Sequence, residues 1–390
     1  MCVNAEFYSG NIEYAETTDD GDAIVRLRAD PILSFRQWFY FAVARSRRDI
    51  NRIVIENAGE ANVPMGWPNF AAFRSYDNVE WSRAHTRYID GKLIIEHDPN
   101  YPLSYYAYFP PYLRADHERL LEFCRNDDRA SVEILCSVTA EHELDLIQIG
   151  NQAPGALQIW ILARQHPGEV PASWWTEGFV RKLLDRHDAE ALELLKRARL
   201  HVVPNMNPDG SRRGNYRTNS FGRNLNASWN APSAEESAAV HFVLERMKRT
   251  GIDFALDIHA DEELPYVFVA NVDRIVPPPA AIAAICDTYQ ILLGQEDPFF
   301  KPKAGYVRRH TKSEPLSFCS PHIMHRLGAP AVTLELPHKR FEAGTDREQE
   351  YGVPGCIGTG RASLSALAKM IDDLLRLKAA REPTENRSLA

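Results

Sequence analysis

Four side chains in this sequence, His166, Glu169, His259 and Glu335, are of the kinds that hold a divalent metal ion and move a proton beside it. Two imidazoles and one carboxylate are a recognised ligand set for catalytic zinc and leave a fourth position for water. The metal lowers the pKa of that water to about 7 and polarises a substrate carbonyl. A second carboxylate near the water, the place Glu335 is expected to take, can receive its proton and pass it to a leaving amine. Each piece alone is weak. An H-x-x-E tetrapeptide such as His166-Pro167-Gly168-Glu169 arises often by chance, and a lone histidine after a strand is more often a hydrogen-bonded structural residue. All of them, however, follow apolar runs: Leu157–Leu162, Phe254–Ile258 and Ala331–Leu334. In open α/β sheets ligand sites collect at the carboxyl ends of strands.

A further segment, Pro204-Asn205-Met206-Asn207-Pro208-Asp209-Gly210, follows the apolar run Arg199–Val203 and opens a polar stretch from Ser211 to Asn230. A connection of that length in a compact domain is usually functional or disordered. It carries Arg212, Arg213, Arg217, Arg223, Asn224 and Asn226. Guanidinium and amide groups are what a site needs to grip a carboxylate or a developing oxyanion.

The elements that must position these residues read in two textures. Up to about residue 110 there are short β-type runs, Ala23–Arg28, Arg52–Glu56 and Lys92–Ile95, the last preceded by the turn pair Asp90-Gly91. This pattern predicts an antiparallel β-sandwich. After Phe109-Pro110-Pro111 apolar runs alternate with helical patterns. The expected strands are Val132–Val138, Ala156–Leu162, Arg199–Val203, Phe254–Ile258, Tyr266–Ala270 and Ala331–Leu336, and two of the helices are Ala172–Leu184 and Pro232–Arg249. Such alternation predicts an α/β domain with a largely buried, mostly parallel mixed sheet flanked by helices. Ser233 and Glu236 have capping-box spacing. The expected division is residues 1–110 for the sandwich, 111–380 for the catalytic domain and 381–390 for a frayed tail.

The chain has 390 residues, 44% hydrophobic and 25% charged, as in a globular protein with ample material for a core. A net charge of −8 argues against a nucleic-acid partner. No segment has the length of uninterrupted apolar residues that a membrane span requires, and the N-terminus lacks a secretory pattern, so a cytoplasmic location is expected. Six scattered cysteines without a C-x-x-C pair predict reduced, buried thiols rather than disulfides or a thiolate zinc site.

These residues resemble the M14 zinc metallocarboxypeptidases, and among them the cytosolic carboxypeptidase subfamily. The matching stretches are His166–Glu169, Pro204–Gly210, Gly214-Asn215-Tyr216-Arg217, Gly222-Arg223-Asn224-Leu225-Asn226 with Trp229, Asp257-Ile258-His259 and Thr333-Leu334-Glu335. The aromatic segment Tyr105–Tyr112 is similar to the one that joins the subfamily's N-terminal sandwich to its catalytic domain. The resemblance implies one zinc ion held by His166, Glu169 and His259, and Glu335 as general base. It further implies Arg217 as stabiliser of the tetrahedral intermediate, Asn226 as a contact to the substrate's terminal carboxylate, and a peptide or protein C-terminus as substrate.

One departure matters. Where the family has Asn-Arg this chain has Asn226-Ala227, so the arginine that pairs with the terminal carboxylate is absent. A methyl group cannot replace a bidentate guanidinium. Arg223 is one candidate substitute. The basic run Lys301, Lys303, Arg308, Arg309, His310 and Lys312 is another, and would favour acidic C-termini such as glutamate, the residue the subfamily removes. Tyr306 has no secure counterpart among the family's substrate-facing tyrosines. Two other functions stay open: an amidohydrolase or deacylase acting on a non-peptide amide, and a peptide-binding module without catalysis.

Overall fold

The computed structural model describes residues 3–45, 50–270, 277–302, 305, 315–342 and 348–381. In chain order the first strands are β1 (Val3–Asn4), β2 (Glu13–Thr17), β3 (Asp22–Arg26), β4 (Tyr40–Ala44), β5 (Arg52–Ile55), β6 (Phe73–Ser75), β7 (Ser82–Arg83), β8 (Thr86–Ile89), β9 (Lys92–Glu96) and β10 (Leu103–Ala107). They form two five-stranded sheets, β1-β4-β10-β6-β7 and β2-β3-β5-β9-β8. The alternation in β9 explains the layering: Leu93 and Ile95 are fully buried while Lys92 and Glu96 face solvent. Asp90 and Gly91 both have positive φ, 50° and 77°, as the two-residue turn between β8 and β9 requires. The expected antiparallel sandwich holds with one exception, since β3 and β5 pair in parallel.

The second layer system is a seven-stranded mixed sheet. Its strands are β11 (Ala130–Thr139), β12 (His142–Gly150), β13 (Leu157–Ala163), β14 (Ala198–Val203), β15 (Phe254–Asp261), β16 (Phe268–Val269) and β17 (Ala331–Pro337), in the order β11-β12-β14-β13-β15-β17-β16. The four central strands β14, β13, β15 and β17 run parallel. Around them lie α1 (Arg114–Arg125), α2 (Pro171–Leu183), α3 (Ala189–Arg197), α4 (Pro208–Arg213), α5 (Ala238–Thr250), α6 (Ala280–Glu296), α7 (Cys319–His322), α8 (Gly352–Lys369) and α9 (Ile371–Arg381). Every residue of β15 and β17 is buried. This follows from covering both faces of a parallel sheet and accounts for their continuous apolar runs. The five described cysteines, Cys124, Cys136, Cys286, Cys319 and Cys356, are free thiols. No described helix is long and apolar enough to cross a membrane.

Three features differ from the sequence reading. Strand β12 was not expected, because His142, Glu143 and Asp145 break its apolar pattern; it pairs with β11 and β14 and buries Leu144, Leu146, Ile147 and Ile149. Helix α5 begins at Ala238, six residues after the expected Pro232. Ser233 does accept the Glu236 N–H at 3.1 Å, but Ser237, not Glu236, bonds back to the Ser233 N–H, and the Glu236 carboxylate pairs with Arg223. The strand expected over Tyr266–Ala270 contracts to Phe268–Val269.

Helix α2 matters for the site because it starts directly after the Glu169-Val170 pair. Pro171 occupies its first turn, where the missing N–H is harmless. Its far side packs on α8 at glycines from both helices. A Cβ added at Gly178 would collide with the Ile357 carbonyl, and one at Gly360 with the Trp175 carbonyl. We expect Gly178→Ala to force the helices apart at a cost of about 1–3 kcal/mol, more than the gain of up to ~1 kcal/mol in helix propensity. Thermal denaturation should show a melting temperature lowered by several degrees; an unchanged or raised value would contradict the close approach.

Candidate metal centre and active site

The chain leaves β13 through Arg164, whose φ of 60° is left-handed and turns the backbone out of the sheet. For a residue with a Cβ this conformation costs about 1–2 kcal/mol, so something must hold it. The buried guanidinium does so: Nε donates to the Pro167 carbonyl at 3.0 Å, and Nη1 reaches the Tyr112 carbonyl and Ser173 Oγ, both at 3.4 Å. Burial lowers the Arg164 pKa to about 10, which leaves it charged at neutral pH. Next, Gln165 ties the loop to its neighbours. Its amide donates to Asp257 Oδ1 at 2.7 Å, its carbonyl oxygen Oε1 accepts Trp229 Nε1–H at 2.9 Å, and its backbone oxygen accepts Asn207 Nδ2 at 2.9 Å.

This turn brings His166, Glu169 and His259 together, with ligand-type atoms all within 4.8 Å of one another and all three residues buried. Glu169 lies between the imidazoles: its Oε1 is 2.6 Å from His166 Nδ1, and its Oε2 is 2.7 Å from His259 Nδ1. Each outer nitrogen has an oxygen close by. His166 Nε2 faces Asn224 Oδ1 at 3.0 Å, and His259 Nε2 lies 3.1 Å from Asp257 Oδ1, within ion-pair range but off hydrogen-bond alignment. Carboxylate or amide partners on the outer nitrogen are what fix a metal-binding imidazole's tautomer.

Charge balance supports the same reading. Burial, aided by Arg217, lowers the His166 pKa to about 4, so this ring is neutral at pH 7 and has one proton for two acceptors. If Asn224 receives it, a bare nitrogen lone pair confronts the Glu169 carboxylate, an arrangement that a cation satisfies. Burial works against a charge on His259 too, but Asp257 and Glu169 outweigh it and hold its pKa well above the ordinary value. These donors fit a zinc ion.

His259 is expected just after its strand but sits inside it, because β15 continues to Asp261; Glu335 sits inside β17, which runs one residue past the expected Leu336 to Pro337. They are register partners on adjacent parallel strands, so their side chains project to the same face. Glu335 is 7% exposed, and among the described residues its Oε2 has no hydrogen-bond partner. Burial foremost raises its pKa well above the usual range; Glu169, Asp261 and Glu262 add to the rise, and His259 opposes it.

Arg217 lies within electrostatic reach of His166 and of Glu262. Asn226 sits in a short 3₁₀ turn, Leu225–Ala227, and its Oδ1 accepts the Cys319 N–H at 3.1 Å. Arg223 is not gathered in with these groups. Its Nε donates to Glu236 Oε2 at 2.9 Å and its side chain is half-exposed. Lys303, Tyr306, Arg308, Arg309, His310 and Lys312 lie outside the described residues. Of the basic run Lys301 alone is described, its N–H bonded to the Val267 carbonyl at 2.8 Å.

The sequence reading assigned no task to four residues that the structure places at this site. Asn224 faces His166 and Asp257 lies beside His259; both stand within the matching stretches, and Asn224 among the loop's amides, but neither was given this part. Glu262 is buried, accepts the Tyr216 hydroxyl at 2.7 Å and has its pKa raised to about 8, by burial first and then by Asp261 and Glu169. Asp30, far away in sequence, gave no local signal at all.

Comparison with known proteins agrees with this geometry. Residues 3–109 match the family model described as the cytosolic carboxypeptidase N-terminal domain, and residues 124–264 match that described as zinc carboxypeptidase. A metallo-carboxypeptidase from Pseudomonas aeruginosa, solved in complex with (2-guanidinoethylmercapto)succinic acid, is 32% identical, with a TM-score of 0.89 over 96% of this chain and 100% of that one. The metallo-carboxypeptidase from Burkholderia cenocepacia is 34% identical, with a TM-score of 0.88 over 95% and 98%. Mouse cytosolic carboxypeptidase 6 is 27% identical over 67% of this chain, a match that spans 53% of the mouse protein. With the fold, the metal-competent cluster and both halves of the chain in agreement, this protein belongs to the M14 family of zinc metallocarboxypeptidases.

Proposed function

We propose that the protein removes the C-terminal residue of a peptide or protein by hydrolysing the last peptide bond. His166, Glu169 and His259 serve as zinc ligands in this reading. The observation that carries it is the Glu169 carboxylate between two buried imidazoles, with Glu335, whose Oε2 has no hydrogen-bond partner among the described residues, beside His259 in the sheet. A bound zinc ion supplies Lewis-acid polarisation of the scissile carbonyl and an acidified water. Glu335, in a buried and acidic setting that favours holding a proton, takes one from the attacking water and delivers it to the departing amine. Arg217 faces the negative charge that develops on the carbonyl oxygen, in a site where exclusion of water strengthens the attraction. Asn226 lies beside the substrate's terminal carboxylate, and Asn224 and Asp257 hold the imidazoles in their ligand tautomers.

The proposal divides the chain near residue 110 into a sandwich and a catalytic domain and places the enzyme in the cytosol, as the names of its relatives suggest. The net charge of −8 supports the absence of a nucleic-acid partner. We further propose a preference for acidic C-termini, glutamate among them. What supports it is the run of cations from Lys301 to Lys312 in an acidic chain, and Ala227 in place of the family's arginine. Arg223 can join the substrate contacts only by leaving Glu236. Ala227 also favours a second reading, in which the same metal site hydrolyses a non-peptide amide.

Three measurements test these statements. Glu335→Gln should retain zinc yet lose roughly 10²–10⁴ in kcat; full activity would remove Glu335 from the mechanism, and an apo wild-type protein that takes up no zinc would remove the metal centre. Rates on matched peptides ending in Glu, Lys and Leu, alongside N-acyl amino acids, should rank Glu first. The Pseudomonas relative's ligand carries both carboxylates and a guanidinium, so peptide ends of either sign belong in this comparison. A preference for Lys would sink the acidic proposal, and turnover of acyl amino acids alone would establish the second reading.

The third measurement concerns pH. Asp257 and Glu169 favour the protonated ring of His259, which must lose a proton for Nδ1 to bind a metal. Zinc uptake should therefore release roughly one proton, and affinity should rise about tenfold per pH unit up to the raised pKa of His259. Calorimetric titration in buffers of different ionisation enthalpy reads this directly, and heats that do not depend on the buffer would refute it.

A further inference from the structure

The loop that presents Arg217 is held from the other sheet system. Asp30, 4% exposed, follows β3 and projects into the loop. Its Oδ1 accepts the Tyr216 N–H at 2.7 Å. Its Oδ2 accepts the Arg217 N–H at 2.9 Å, the Thr218 N–H at 2.8 Å and the Thr218 hydroxyl at 2.9 Å. Three successive peptide N–H groups converging on one anion make a backbone nest. Here the anion is a side chain more than 180 residues away in sequence. Neighbouring bonds lengthen the seam: the Ser9 N–H donates to the Arg212 carbonyl at 3.0 Å, Arg28 Nη2 to the Arg213 carbonyl at 3.0 Å, and Asn11 Nδ2 to the Gly214 carbonyl at 2.7 Å.

The far side of the same loop touches the metal-site elements. The Tyr216 carbonyl accepts the Gly168 N–H at 2.9 Å, from within the His166–Glu169 turn. A Cβ on Gly168 would come to 3.0 Å from Tyr216, so a side chain there would press on the loop. The Tyr216 hydroxyl donates to Glu262, three residues beyond His259. The loop is thus fixed between Asp30 on one side and both ligand-bearing segments on the other. A surface that only had to pack two domains would be served by apolar contact. A buried carboxylate must be compensated by hydrogen bonds, and all four of those given to Asp30 come from residues 216–218.

We propose that Asp30 is a positioning residue for the reaction, acting through Arg217: the N-terminal sandwich sets the arginine's place relative to the metal ligands and so completes the active site. The inference rests on the oxyanion role proposed for Arg217.

A double-mutant cycle tests it on the full-length, zinc-loaded enzyme, comparing wild type, Asp30→Asn, Arg217→Ala and the double variant. Asp30→Asn keeps the shape but sets an amide N–H₂ or a neutral oxygen against N–H donors. Loss of an oxyanion donor costs about 10²–10³ in kcat, so Arg217→Ala should fall in that range. A displacement of about 1 Å can cost about 10², so Asp30→Asn should lose on the order of 10–100-fold, in kcat rather than KM, with zinc content unchanged. In the Arg217→Ala background the same substitution should cost less than about twofold, because residues acting as one unit are not additive.

An equal cost of Asp30→Asn in both backgrounds, or an Asp30→Asn enzyme within about twofold of wild type, would overturn the proposal. Arg217→Ala at the wild-type rate would instead overturn the Arg217 role on which it rests. If Asp30→Asn does not fold, Thr218→Val removes one of the four donors and runs the same cycle. A smaller kcat loss that vanishes in the Arg217→Ala background supports the proposal, and one that persists there, or no loss, overturns it.

Discussion

A single carboxylate, Glu169, faces two buried imidazoles, and the rest of the molecule is arranged so that it can. Its two oxygens lie 2.6 and 2.7 Å from nitrogens of His166 and His259. One histidine comes from the same turn and the other from a neighbouring strand. Burying these groups would be prohibitive for any one of them alone. They are tolerable together because the outer nitrogen of His166 meets Asn224, that of His259 lies beside the Asp257 carboxylate, and the inner ones converge where a divalent cation fits. The left-handed Arg164, the Gln165 bridge and the tight packing of α2 on α8 follow from this requirement. Each fixes the turn that carries Glu169 at the moment the chain leaves the sheet.

The parallel sheet supplies the other half of the geometry. Pairing of β15 with β17 puts His259 opposite Glu335 with no loop between them. Rigid strands position side chains more finely than loops do, so the sheet itself sets the place of Glu335 relative to His259. The cost is an acidic pocket. Burial raises the pKa values of Glu335 and Glu262, the nearby Glu169 and Asp261 carboxylates add to both rises, and Glu262 adds to that of Glu335. A cation held by His166, Glu169 and His259 would offset that repulsion and draw the Glu335 pKa back down.

Arg217 belongs to neither rigid element. It is carried by an irregular loop whose backbone donors would be unsatisfied without outside help, and Asp30 provides that help. The two-part architecture then has a physical logic beyond tethering: residues from the sandwich complete hydrogen bonding that the catalytic sheet leaves open. The loop in turn touches the metal turn through the Gly168 N–H and reaches the segment after His259 through Tyr216 and Glu262, so the seam between the two halves runs close to the chemistry.

The family and its metal-competent cluster were legible in the chain itself. Ligand types, their order after apolar runs and the Asn-Tyr-Arg segment are local features, and local features survive in a string of residues. The central strands were legible for the same reason, since burial on both faces writes continuous apolar runs. Strand β12 was not, because its partly exposed face carries charges that hide the alternation. Nor was the engagement of Arg223 by Glu236, which the sequence offered equally as a capping box and as a carboxylate site. Asp30 and Glu262 show the limit most clearly. Nothing near them in sequence marks them, because their importance is a matter of which distant donors and acceptors they meet, and those meetings exist only after the chain has folded and excluded water from both partners.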